Sequence, residues 1–270
     1  MSTPVSRYAP ANLRRTILRL AYKGSTVHIA CAFSLVEILA VLYRNHLRLG
    51  NGPDDPSRDY LILSKGHGVM AQYACLHELG WVRDEQIENY CGDATELKGL
   101  SDSNVPGLEV NSGSLGHGLA IGAGIALGAL RKKSDQKVFA ILGDGECNEG
   151  SIWESLLFAC HFHLTNLLVI VDANGFQAMG RTEEVMDLGN LEKKFAAFGF
   201  EVRTVDGHDE SALDDAITKS VASSFNGPRA IIARTLKGKG VSFMQDSNVW
   251  HYSRLTPQNY QDALSELAAT

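Results

Sequence analysis

Several features are scarce or missing in this chain. No apolar run reaches the ~18 residues that a membrane helix needs; the best candidate, Leu35–Tyr43, is broken by Glu37. The N-terminus carries no charged-then-apolar leader pattern, so the expected compartment is the cytoplasm, with no membrane association. The five cysteines (Cys31, Cys75, Cys91, Cys147, Cys160) include no C-x-x-C pair. An odd, irregularly spaced set suits a reducing compartment, with thiols packed as small apolar side chains. Basic residues are in deficit: 25 Lys and Arg stand against 31 Asp and Glu, a net charge of −6. That balance argues against a general nucleic-acid binder, which needs a basic face. No internal repeat is visible.

What remains is ordinary for a globular protein: 270 residues, 44% hydrophobic and 21% charged. Apolar spacing predicts helices near 11–23, 34–47, 67–80, 84–91, 115–132, 150–163, 190–198, 209–223 and 257–267. The first of these is amphipathic, with Leu13, Ile17, Leu20 and Ala21 on one face. Extended runs fall near 60–63, 137–142, 167–172, 201–205 and 229–235, several of them short and continuously apolar. Such runs alternating with helices define an α/β domain with a mainly parallel sheet flanked by helices on both faces. We expect a single domain over 1–270. Segments 48–59, 92–114, 173–189 and 236–256 read as irregular, and loops of that length are commonly functional. Two of them follow strands, where ligands of open α/β sheets bind.

Two strand ends stand out. Gly143-Asp144-Gly145 follows the apolar run Val138–Leu142, and Asn174-Gly175 follows Leu167–Val171, so Asp144 and Asn174 lie 30 residues apart. Either tripeptide or dipeptide alone passes for a turn. Together they bring a carboxylate and an amide oxygen to one sheet edge, a donor set suited to Mg²⁺ with phosphate oxygens. The flanking glycines permit close approach of a diphosphate, and a helix starting near Ser151 would offer anion-binding amides. Gly116-His117-Gly118 begins a dinucleotide-like pattern, but the third glycine falls at Gly122, one residue late, and no strand precedes it. A dinucleotide site is therefore disfavoured. Gly118, Gly122, Gly124 and Gly128 are expected to let their helix pack closely.

The run from Ile141-Leu-Gly-Asp-Gly-Glu-Cys-Asn-Glu149 to Val171-Asp-Ala-Asn174-Gly-Phe-Gln-Ala-Met-Gly180 closely resembles transketolase, and in particular the N-terminal, diphosphate-binding subunit of a split transketolase. The likeness extends from Gly24-Ser-Thr-Val-His28 to Trp250-His251-Tyr252. It implies thiamine diphosphate and Mg²⁺ as cofactors. It implies Asp144, Asn174 and the Phe176 backbone carbonyl as metal ligands, and Gly143 and Gly145 beside the diphosphate. His67, in Ser64-Lys-Gly-His67, and His251 would face the cofactor. Gly113, Ser114 and Leu115 would cradle its aminopyrimidine ring. His28 and His251 would serve the substrate as catalytic groups, with Glu149 on a proton path or, equally, as a helix-start carboxylate. Glu146 is expected to face solvent. His161 and His163 point to different helix faces and are no metal pair. The role of Lys237 and Lys239 stays open.

The resemblance also implies a partner. A C-terminal subunit would carry the pyrimidine-binding domain, giving an α2β2 heterotetramer that moves a two-carbon ketol unit from a ketose to an aldose. One departure is visible: the family's histidine before Pro-Gly-Val-Glu is Leu100 here, ahead of Val105-Pro-Gly-Leu-Glu109. Other readings are a 1-deoxyxylulose-phosphate synthase-like subunit, the α-subunit of a 2-oxo acid dehydrogenase, a noncatalytic scaffold, and a magnesium-dependent phosphate-ester binder without thiamine.

Overall fold

Strands that are apolar at every position need cover on both faces, and the computed structural model, which describes residues 7–268, supplies it. The strands are β1 (Tyr60–Leu63), β2 (Val138–Gly143), β3 (Leu167–Ala173), β4 (Phe176–Gln177), β5 (Gly180–Arg181), β6 (Glu201–Asp206) and β7 (Arg229–Arg234). Five of them form one sheet in the order β1-β2-β3-β7-β6, and every neighbouring pair is parallel. β4 and β5 form a separate antiparallel hairpin.

Alternate residues of each strand feed opposite cores, as a period of two requires. Leu61, Leu63, Phe139, Ile141, Leu168, Ile170 and Ile231 join one core. That core is covered by helices Pro10–Lys23, Val36–Val41, Val69–Leu79 and Glu210–Val221. Ile62, Val138, Ala140, Leu142, Leu167, Val169 and Val171 join the other, under helices His117–Arg131, Gly150–His161 and Leu191–Ala197. Among the described residues no helix is long and apolar enough to cross a membrane.

The predicted elements recur with shifted ends. The helix expected over 34–47 is a short helix, Val36–Val41, followed by a wider turn over Leu42–His46. Apolar spacing signals neither the helix over Ile29–Phe33 nor helix Thr182–Met186 inside the segment 173–189. Arg14 lies on the buried face of the first helix, where its guanidinium meets both oxygens of buried Glu37 at 2.7 and 2.9 Å. His208 Nε2 accepts the Leu236 N–H at 2.7 Å, which leaves Nδ1 as the donor to Glu37 at 2.8 Å. This cluster ties the first helix and Glu37 to the loops after β6 and β7.

The glycine expectation needs correction. At Gly118 a Cβ would stand 2.6 Å from Ser64 Cα, so the helix rests directly on the backbone beyond β1. At Gly122 it would meet only ordinary contacts from 3.5 Å, and at Gly124 and Gly128 nothing within 4 Å. Close packing thus accounts for Gly118 and not for the last two. Gly118→Ala should lower the unfolding free energy by about 1–3 kcal/mol through forced displacement of the helix. Gly124→Ala should raise it by about 0.5–1 kcal/mol through helix propensity. Urea denaturation of both variants checks the contrast.

Candidate active site

Parallel pairing aligns Gly143 with Asp172, so Asp144 and Asn174 leave the sheet side by side at its carboxyl edge. Asp144 is buried. Its Oδ1 accepts the Gly145 N–H at 2.8 Å, and its Oδ2 accepts the Gly175 N–H at 2.6 Å and Thr182 Oγ1 at 3.4 Å, which leaves a lone pair on Oδ1. Burial first, and the neighbouring Asp172 carboxylate second, push the Asp144 carboxyl up to about 6. A nearby cation would relieve that strain on the charged form.

Asn174 is oriented from both ends. Its Oδ1 accepts the Phe176 N–H at 3.0 Å in a tight turn, and its Nδ2 donates to Asp172 Oδ2 at 3.1 Å. That turn opens the β4–β5 hairpin. The Phe176 carbonyl then lies 3.7 Å from where a Gly145 Cβ would stand, with Gln177 Cβ at 2.7 Å, so only glycine permits the approach.

Behind this pair sits a buried ionic network that sequence reading missed. Lys65 Nζ donates to Asp172 Oδ2, with both side chains almost wholly enclosed. Ser34 Oγ donates to the same oxygen at 2.7 Å, and Thr235 Oγ1 donates to Oδ1. Burial would raise the Asp172 carboxyl, but Lys65 and these donors hold it below its usual value. The available signal was an acid inside an otherwise apolar strand, which requires an enclosed cationic partner.

Glu146 is the second correction. It is buried, not solvent-facing: Oε1 accepts from Ser64 Oγ and from the Gly116 N–H at 2.8 Å, and Oε2 accepts the Gly143 N–H at 3.0 Å. It braces the glycine stretch against the end of β2.

A cleft of about 410 Å³ opens over these residues. His28, His67, Gly113, Leu115, Gly143, Asp144, Gly145, Glu149, Asn174, Phe176 and His251 all line it, together with Cys31, Lys65 and Leu100. Ser114 is exposed and does not line it. Glu149 is exposed at the start of helix Gly150–His161 and makes no side-chain cap. The rings of His28, His67 and His251 stand 5.3–5.7 Å apart, centre to centre. The His28 N–H donates to the His251 carbonyl at 3.1 Å, and His28 adopts a left-handed backbone (φ 70°). Burial first, then Lys237, push His251 down to about 3. Burial, reinforced by Lys65, holds His67 well below its ordinary value. Lys237, whose role the sequence left open, is buried. Its Nζ lies 2.8 Å from His251 Nδ1 and 2.9 Å from Asn248 Oδ1.

Residues 17–268 match the thiamine diphosphate binding domain of transketolase. The chain therefore belongs to the transketolase family. It is 35% identical to an apulose-4-phosphate transketolase subunit of Phocaeicola vulgatus, across 94% of this chain and 91% of that one. It is 34% identical to a 6-deoxy-6-sulfo-D-fructose transketolase subunit of a Clostridium species, across 94% and 93%. The crystal structure of transketolase from Campylobacter jejuni superposes with a TM-score of 0.88 at 27% identity, covering 99% of this chain and 43% of that one. The chain thus spans about two fifths of the length of the solved transketolases it matches.

Removing Asp172 would strand the Lys65 ammonium in the interior. Asp172→Ala should cost about 3–5 kcal/mol of unfolding free energy. Asp172→Leu combined with Lys65→Met should cost less than Asp172→Ala alone, as read by chemical denaturation.

Proposed function

We propose that this chain is the diphosphate-binding subunit of a two-subunit transketolase, moving a two-carbon ketol unit from a ketose to an aldose. The observation that carries this reading is the convergence of Asp144, Asn174 and the Phe176 carbonyl at one sheet edge, above a cleft ringed by neutral histidines. The donor set fits a hard divalent ion. It comprises a buried carboxylate with a lone pair free on Oδ1, an amide oxygen oriented through Asp172, and a backbone carbonyl, a set that would leave phosphate oxygens and water to complete the shell of Mg²⁺. Thiamine diphosphate, when bound, supplies the carbanion chemistry that breaks and remakes the carbon–carbon bond.

The chain's own residues hold and orient. Asp144, Asn174 and Phe176 hold the metal, while Gly143 and Gly145 expose backbone to the diphosphate. His67 and His251, uncharged on their own, donate ring N–H groups to its oxygens. Gly113 and Leu115, which line the cleft as Ser114 does not, flank the aminopyrimidine. His28 and His251 hold and move protons at the substrate hydroxyls, and Glu149 stands at the rim on the side of the subunit contact.

A separate C-terminal subunit with the pyrimidine-binding domain completes the cleft, in an α2β2 assembly in the cytoplasm, with this chain as a single domain. Relatives named as transketolase subunits, matched over nearly their whole length, support that division. Met179, 79% exposed on the cleft lining, supports a covered rim. The donor is a sugar whose recognition departs from the family's, because Leu100 lines the cleft where a histidine is usual.

Asp144→Ala, purified with its partner, should lose bound thiamine diphosphate and ketol transfer while staying folded by circular dichroism. Cofactor retained through desalting at the wild-type level would refute the metal assignment. Leu100→His should change the ratio of kcat/KM between ketose donors that differ at the hydroxyls next to the carbonyl. An unchanged ratio rejects the role given to Leu100.

A further inference from the structure

The cleft contains a second donor set, chemically unlike the first. Cys31, His67 and His251 bring one sulfur and two ring nitrogens within 4.8 Å of one another. Cys31 Sγ is already 3.6 Å from His251 Nδ1. Tetrahedral zinc, with bonds of about 2.3 Å to sulfur and 2.0–2.1 Å to nitrogen, spaces neighbouring donors about 3.3–3.6 Å apart. The remaining gap closes by roughly 1 Å of side-chain rotation on that geometry. The three residues come from different elements: helix Ile29–Phe33, the turn after β1, and the turn Asn248–His251. No local motif in the sequence announces them.

We propose that Cys31, His67 and His251 form a binding site for a thiophilic divalent cation of the zinc type, with an open fourth position facing the cleft. Softness separates the two metals. Sulfur and imidazole select zinc, whereas Asp144, Asn174 and the Phe176 carbonyl select magnesium. On binding, the Cys31 thiol loses its proton to solvent, and the metal bonds to the thiolate and to two neutral imidazoles. Both histidines are held neutral by burial, the form that ligates.

One group opposes the cation: the Lys237 ammonium, at 2.8 Å from His251 Nδ1. It already bonds Asn248 Oδ1 at 2.9 Å, so it yields toward Asn248 when the metal takes the ring nitrogen. The metal site itself needs no transketolase chemistry. Only its consequence, exclusion of the cofactor from His67 and His251, rests on the function proposed above.

Cobalt(II) titrated into the full chain, without cofactor or magnesium, should give a thiolate-to-cobalt charge-transfer band that saturates at one equivalent and is discharged by zinc. Cys31→Ser should lose the band, and His67→Ala should weaken cobalt binding by an order of magnitude or more. Cys91→Ser, at an exposed thiol, should leave both unchanged. No band in the wild-type chain, or a band that survives in Cys31→Ser, overturns the site. Adding magnesium and thiamine diphosphate to the cobalt-loaded assembly should bleach the band. A band that persists there contradicts shared occupancy of the cleft by the cofactor, and leaves the cobalt result on the chain alone standing.

Discussion

The carboxylate of Asp172 is the point on which the cleft is built. It receives Lys65 from beyond β1, Ser34 from the helical layer, Thr235 from beyond β7 and Asn174 from the end of its own strand. Three of these donors converge on Oδ2 and Thr235 takes Oδ1, so both oxygens of the buried carboxylate are engaged. An enclosed ion pair is rarely a net source of stability, because desolvation offsets the attraction. Its effect here is geometric. With the Asn174 amide nitrogen committed to Asp172, the amide oxygen faces the turn and the cleft. With Asp172 held ionised, Asp144 titrates beside a fixed negative charge, which raises its affinity for a cation.

The opposite wall follows a different logic. Three histidines and Lys237 crowd a small volume, and no carboxylate among the described residues bonds any of the three rings. Burial and mutual repulsion therefore strip the rings of protons. A wall of neutral imidazoles and one strained ammonium is poised for an anion, since a negative ligand would relieve the repulsion. The cleft is thereby polarised: acid and amide oxygens on the strand edge, nitrogen donors across from them. A magnesium-bound diphosphate has that same polarity.

Much of this was legible in the sequence, and what was not has a common cause. β1, β2, β3 and β7 are legible because burial on both faces makes them largely apolar runs, whereas the edge strand β6 is half-buried and mixes charge with valine; the helices are legible because their apolar faces recur with a helical period. Asp144 and Asn174 are legible because each directly follows such a run. The partners that orient them are not. Lys65 and Asp172 lie 107 residues apart, and Ser34 and Asp172 lie 138 apart, separations that carry no periodic signal. Glu146 misleads because a glutamate near a helix start usually faces water, whereas here three donors from separate segments enclose it. Gly124 and Gly128 mislead because composition shows that a helix can approach a neighbour, not that it does. Helix Ile29–Phe33 is too short, and its surroundings too uniformly apolar, to leave a period.

The division of the cleft between rigid and exposed parts bears on how two chains would share it. The oxygen donors are fixed before any ligand arrives, through hydrogen bonds made wholly within this chain, so little ordering remains to oppose metal binding. Gly113 and Ser114 are exposed, and their stretch is braced at its two ends, by the Ser112 N–H on the Ser101 carbonyl and by Gly116 on Glu146 and Ser151. A cofactor bound to this chain alone would therefore be held firmly by its phosphate end and loosely at its ring end. Tight binding then requires a second surface over the ring, and because such couplings are reciprocal, the bound cofactor would strengthen the contact between the chains by the same factor. On the function proposed above, preorganisation of the Asp144–Asn174 edge is what would allow the enzyme to be divided: the half that must recognise charge would be complete in one chain, and the half that must enclose the ring would be left to the interface.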